Sequence, residues 1–196
     1  MLVVNSNLPV HSVAELVKRA KSRPGKLRYG SAGVGSPNHL GMELFKLKAG
    51  MDLTHVPYKG GPAAMVDLLS GQIEVMMAGP VAIPLIKAGR LRALAVPSAE
   101  RSPLTPDLPP IADTVPGVDV RTWEAFFAPA GTPPAIVKKL HDRITRHLAA
   151  PETARLLAAK GFAVQAMTRA QVHELVVSSL KRNRELVRAL EIPLID

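Results

Sequence analysis

Two stretches of this chain share one design, and that repetition limits the fold more than any other feature. Leu27-Arg28-Tyr29-Gly30-Ser31-Ala32-Gly33-Val34-Gly35-Ser36-Pro37 runs from strand-type residues through a glycine-rich loop into a helix start. Thr54-His55-Val56-Pro57-Tyr58-Lys59-Gly60-Gly61-Pro62 does the same. Around them the pattern continues. Strands are expected at 2–5, 27–31, 53–58, 73–78 and 91–96. Helices are expected from Ser12 to the Pro24-Gly25 stop, at 39–49, at 63–70 up to Gly71, and, interrupted by proline, at 79–88. Ser12 followed by Glu15 is a capping box, and Val13, Leu16, Val17 and Ala20 form the apolar stripe behind it. In the second helix Leu40, Leu44 and Leu47 are expected to face inward. Strands alternating with helices through short loops predict an α/β unit with a parallel, doubly wound sheet.

The rhythm changes near residue 121. Residues 98–117 are rich in proline and polar side chains, and 120–128 reads as a strand carrying the only tryptophan, Trp123, in a core or hinge role. Helices follow at 133–149, 151–160 and 170–190, the last capped by Thr168, with a short strand at 162–165 and a possible last strand at 192–196. Apolar stripes on these helices (Ile136, Leu140, Ile144, Leu148; Val172, Leu175, Val176, Leu180) have little sheet to cover. The boundaries are therefore 1–121 for an α/β lobe and 122–196 for a mostly helical part of another.

Composition narrows the function classes. The formal charge of +9 would suggest nucleic acid if Lys and Arg gathered on one face, but they alternate with acids along the helices. Aromatic residues make up only 4% of the chain, too few for base-stacking platforms. No nucleic-acid partner is expected; the charge reads as solvated helix faces with a residual field for small anions. With no cysteine, thiolate chemistry and disulfides are excluded. No segment holds the roughly 18 uninterrupted apolar residues of a membrane span, and the start Met1-Leu2-Val3-Val4-Asn5 lacks the pattern of a secretory signal.

Each glycine corner lets a backbone approach a guest closely and then opens a helix whose free N–H groups and dipole favour an anion. Ser31 and Ser36 add hydroxyls and Lys59 a positive charge. In a parallel sheet both corners fall at carboxyl ends of strands, where open α/β folds bind ligands. The bland reading is a pair of tight turns that need glycine for backbone reasons. A nucleotide phosphate fits poorly: Gly-Lys-Ser/Thr is absent, and Gly33-Val34-Gly35 lacks the third glycine of a dinucleotide fingerprint. Catalysis fits worse. There is no Gly-x-Ser-x-Gly elbow, and no carboxylate pair. His39 falls in a first helical turn, packing or donating a hydrogen bond to the loop. His141 and His147 lie six apart, off metal-ligand spacing, and His11, His55 and His173 have no His or carboxylate partner at a recognisable spacing. No metal, cofactor or catalytic residue is expected.

At these residues the sequence resembles the Bug-type solute receptors of tripartite tricarboxylate transporters. The resemblance rests on the Ser-Ala-Gly corner with Asn38-His39-Leu40, the Val56-Pro57-Tyr58-Lys59-Gly60 run and the Ala128-Pro129-Ala130-Gly131-Thr132-Pro133 run, in the family's order. It implies a type II periplasmic-binding-protein fold: one complete α/β lobe with a parallel-dominated sheet, and a partial, mostly helical second lobe. It implies a binding protein rather than an enzyme, a small carboxylate held by loop amides and hydroxyls, membrane transporter subunits as partners, and a periplasmic location, with the cytoplasm as the alternative if the chain is naturally short. The implied ligand-binding residues are Ser31, Ala32, Gly33, Gly35, Ser36, His39, Lys59 and Gly60.

Two departures from the family pattern matter. The chain begins about where the first half of the family's lobe one should have ended, so a truncated receptor is expected, its export signal missing with that segment. Met77-Ala78-Gly79-Pro80-Val81 also stands where many relatives carry Asp or Asn, which removes support for an amine contact. The alternative reading is a dimerising or effector-sensing module on the same fold, its unpaired helical unit pairing with a second copy.

Overall fold

The computed structural model describes residues 1–120 and 122–190. The chain divides into two compact units, Met1–Arg121 with Arg184–Asp196, and Thr122–Asn183.

In the first unit five strands, β1 (Leu2–Asn5), β2 (Arg28–Ser31), β3 (Thr54–Pro57), β4 (Val75–Met77) and β5 (Leu91–Ala95), form one sheet in the order β3-β2-β4-β1-β5. β2 pairs in parallel with β3 and β4, while β1 runs antiparallel to both β4 and β5. The sheet is therefore mixed: four strands point one way, as a parallel-dominated sheet requires, and the first strand runs against them. Alternation along the strands decides which side chains meet which helices. Leu2, Val4, Tyr29, Val75 and Met77 face one layer, with Val13, Leu16 and Ala20 of α1 (Val13–Ser22) and Met42, Phe45 and Ala49 of α2 (Pro37–Ala49). Val3 and Met76 face the other, with Ala64, Met65 and Leu68 of α3 (Gly61–Ser70) and Leu85 and Ile86 of α4 (Ile83–Lys87).

The Ser12 cap forms as expected: its hydroxyl accepts from Glu15 N at 3.2 Å. Glu15 reaches one residue further back than the standard box, accepting from His11 N at 2.7 Å.

The inward face of α2 differs from the expectation. His39, Gly41, Met42, Phe45 and Ala49 are buried, whereas Leu47 is exposed and Leu40 and Leu44 are half-buried. Both stripes have helical spacing, and close approach decides between them. A Cβ at position 41 would lie 2.8 Å from Met77 Sδ and 2.9 Å from Val120 Cγ1, so the glycine lets the helix settle flat on β4.

The second unit holds α5 (Pro134–Leu148), α6 (Pro151–Ala159) and most of α7 (Arg169–Ala189). Thr168 and Gln171 close a reciprocal capping box at the start of α7, Gln171 N donating to Thr168 Oγ1 at 3.3 Å and Thr168 N to Gln171 Oε1 at 2.8 Å. Trp123 is half-buried and donates from Nε1 to Ser179 Oγ on α7 at 3.0 Å. The strands expected at 120–128 and 162–165 do not form among the described residues. A strand exists only where another backbone supplies a ladder, and side-chain pattern alone cannot. The strand expected at 192–196 lies outside the described residues.

Candidate functional site

β2 and β3 place the two glycine corners side by side. In their parallel register Tyr29 faces His55 and Ser31 faces Pro57, so both strands release their chains at the same edge of the sheet. The first corner turns through Gly33 (φ 128°) and Gly35 (φ 76°), backbone that favours glycine, and enters α2 at Ser36 and Pro37. The second turns through Gly60 (φ 113°) into α3, with Lys59 exposed just before it. Tyr58 N donates to Ser31 O at 3.1 Å and ties the corners together.

Within the first corner the backbone donors are largely turned inward. Gly33 N donates to Ser31 Oγ at 3.1 Å, Gly35 N to His39 Nδ1 at 3.1 Å, Ala32 N to Asn38 Oδ1 at 3.3 Å and Ser36 N to Gly33 O at 3.2 Å. Ser36 Oγ sits 2.6 Å from Gly33 O, as donor, and 2.7 Å from Asn38 Oδ1. Ser31 is fully buried. Three amides, that of Val34 in the loop and those of Asn38 and His39 in the first turn of α2, have no acceptor among the described residues. The hydroxyls expected to face a guest thus shape the loop, and His39 accepts from the corner rather than donating to it. Within the first corner the donors left for an anion are the amides of Val34, Asn38 and His39; the adjoining corner adds the Lys59 ammonium.

Beneath the corner lies a stack of rings. The centroids of His39 and His55 are 4.2 Å apart and those of His55 and Tyr29 are 4.8 Å apart, with interplanar angles of 29° and 17°. His55 Nε2 lies 2.7 Å from Ser31 Oγ. The Tyr29 hydroxyl donates to Glu43, which also accepts from Lys46 at 2.8 Å. Burial pushes the His55 imidazole down to about 4, helped by His39 beside it, and lowers His39 as well. Burial pushes the Tyr29 phenol up, reinforced by its bond to Glu43. The rings are neutral at neutral pH.

Ser31 and His55 therefore stand at the separation of a nucleophile and its base, a pairing that spacing in the sequence did not show. Their surroundings oppose that chemistry. Ser31 Oγ is buried and held by the Gly33 backbone, and an imidazole near 4 is a weak base at neutral pH. Among the described residues no group of three His, Cys, Asp or Glu side chains could hold a metal, and no helix is long and apolar enough to cross a membrane.

Residues 1–192 match the tripartite tricarboxylate transporter family receptor model. The chain belongs to this family.

A UPF0065 protein from the tcbD–tcbE intergenic region of Pseudomonas sp. strain P51 is 35% identical over 190 residues, which is 95% of this chain and 56% of that protein. Rpa4515 of R. palustris, solved with adipate, superposes with a TM-score of 0.94 at 34% identity, over 100% of this chain and 66% of that one. MatC of Rhodopseudomonas palustris, solved with malate, gives 0.85 at 28% identity, over 95% of this chain and 65% of that one. The chain thus spans little more than half the length of the Pseudomonas relative and about two thirds of the solved ones. Solved members of the family include periplasmic binding proteins. The receptor family's fold, a type II periplasmic-binding-protein-like α/β architecture, is what the superpositions show.

The resemblance carried by the corners holds at the level of the family, while two residues of the network have no role that the sequence assigns. His55 lies on β3, 24 residues from Ser31, and only strand pairing brings the two together. Asn38 carried a readable signal, an amide side chain in the first turn after a serine cap position, able to fold back on the loop.

Proposed function

We propose that this chain forms one wall of a small-carboxylate site in a solute-binding receptor of the tripartite tricarboxylate transporter type. The observation that supports this reading is the β2–β3 register, which sets two glycine-opened helix starts side by side, with Lys59 exposed at the second of them. The amides of Val34, Asn38 and His39 supply main-chain donors, and Lys59 supplies charge. Ser31, Ala32, Gly33, Gly35, Ser36 and the His39 ring hold the corner in shape, and Gly60 gives the second corner its turn. Ligands in the adipate and malate class, dicarboxylates bound by the solved relatives, are the first candidates. Membrane transporter subunits would be the partners, and the periplasm the compartment.

A single wall leaves the far side of a ligand in water, so affinity rises when a second wall closes over it. Calorimetry with adipate and malate tests this on the chain alone and on the chain joined to the first-lobe segment of a family receptor. The expected result is weak binding that strengthens in the joined protein. Absence of binding by the joined protein overturns the receptor reading.

A second reading, a dimerising or effector-sensing module, draws on the exposed Phe126 and Phe127 and the exposed faces of Ile136, Leu140, Val177 and Leu180. Light scattering decides it, since a monomer at high concentration removes that reading.

A further inference from the structure

The Gly35 amide and the Gly33 amide are both held by an imidazole, one directly and one through a single hydroxyl. Gly35 N donates to His39 Nδ1 at 3.1 Å. Gly33 N donates to Ser31 Oγ at 3.1 Å, and that oxygen lies 2.7 Å from His55 Nε2. The two rings stack with centroids 4.2 Å apart, and His39 is buried. We propose that His39 and His55 are a paired set of positioning residues for the ligand corner, and that the corner keeps its shape only while His39 is unprotonated at Nδ1.

The chemistry follows from donor and acceptor roles. A neutral imidazole accepts through one nitrogen, and an imidazolium accepts through neither. Protonating His39 turns the acceptor of the Gly35 amide into a second donor, so the two N–H groups oppose each other and the corner opens at Gly35. His55 has more latitude, because its Nε2 can donate to Ser31 Oγ while that hydroxyl donates to Gly33 O, 3.1 Å away. Two imidazolium rings at this separation repel, so a proton on either ring disfavours one on the other. The charged and titratable groups around the pair are Tyr29 from β2, and Glu43 and Lys46 from α2. Glu43 favours the protonated rings and Lys46 opposes them, while desolvation is the largest influence and keeps both neutral.

This inference rests on the carboxylate reading only for its effect on affinity; the effect on the corner stands alone. The test is amide NMR on the ¹⁵N-labelled 196-residue chain between pH 7.5 and 4.5, with adipate titrated at each end. The Gly35 amide should shift with the His39 ring at a midpoint below that of an ordinary histidine. His39→Asn, whose Oδ1 can stand in for Nδ1, should keep the Gly35 amide bonded and remove its pH dependence. His39→Leu should speed Gly35 hydrogen exchange and lower adipate affinity by about five- to tenfold, the usual consequence of one lost hydrogen bond. His55→Gln, which can replace Nε2, should preserve the Gly33 amide.

A Gly35 amide indifferent to pH in the wild type, or equally protected in His39→Leu, overturns the proposal without requiring any variant to bind ligand. A wild-type chain that shows the glycine titration but no adipate response keeps the positioning pair, while the ligand reading for the isolated chain fails.

Discussion

At the scale of single residues, the corner is held by polar groups that also make it sensitive to acid. The folded His55 titrates near 4, below its unfolded value of 6.5, and His39 is lowered too. As pH falls below 6.5 the unfolded chain takes up protons that the folded chain refuses, so acid favours unfolding. Denaturant titrations should show stability that is full above about pH 6.5 and falls toward pH 4, with a shallower fall in His55→Gln. A stability that rises through that window would contradict the buried neutral rings. Gly30 offers a second residue-level expectation. A Cβ there would lie 2.3 Å from Ile73 Cδ1 and 3.3 Å from Ala64 Cβ, so Gly30→Ala should cost about 1–3 kcal/mol by urea unfolding, as overpacking does. A change within about 0.5 kcal/mol would show that the Ile73 side chain can give way.

Among elements, what could be read in advance depended on whether a feature is local. Caps and turns are local. Ser12 and Thr168 announced their helices, and the glycine corners announced where strands hand over to α2 and α3. Ser12→Ala should therefore destabilise the chain by about 1 kcal/mol, measured as a lower denaturation midpoint with unchanged slope. Strand direction is not local: Leu2–Asn5 reads the same whether it runs with or against its neighbours, and only pairing to β4 and β5 reveals the reversal. The buried face of α2 differs from the expected one for a related reason. Leu40, Leu44 and Leu47 form as good a stripe as Met42, Phe45 and Ala49, and the choice rests on contacts of Gly41 with Met77 and Val120, residues far away in the chain. The contact of His55 with Ser31 is equally non-local, because the two belong to different strands. The stretches 120–128 and 162–165 show the opposite error, strand-like sequence without a ladder among the described residues.

For the whole molecule, the proposed site is one in which main-chain groups and one lysine meet an anion. Lys59 is exposed, so its contribution should be modest and screened. Lys59→Ala should weaken dicarboxylate binding by about two- to fivefold at low salt and less at 0.5 M salt. A loss that is large and independent of salt would instead mean a desolvated contact. The remaining question is where on this surface a carboxylate sits. Amide shift mapping with adipate on the 196-residue chain answers it most directly. The account predicts the largest shifts at Val34, Asn38, His39, Lys59 and Gly60, with the α5 and α6 amides unmoved. Saturable shifts confined to other residues, with those five silent, would contradict it.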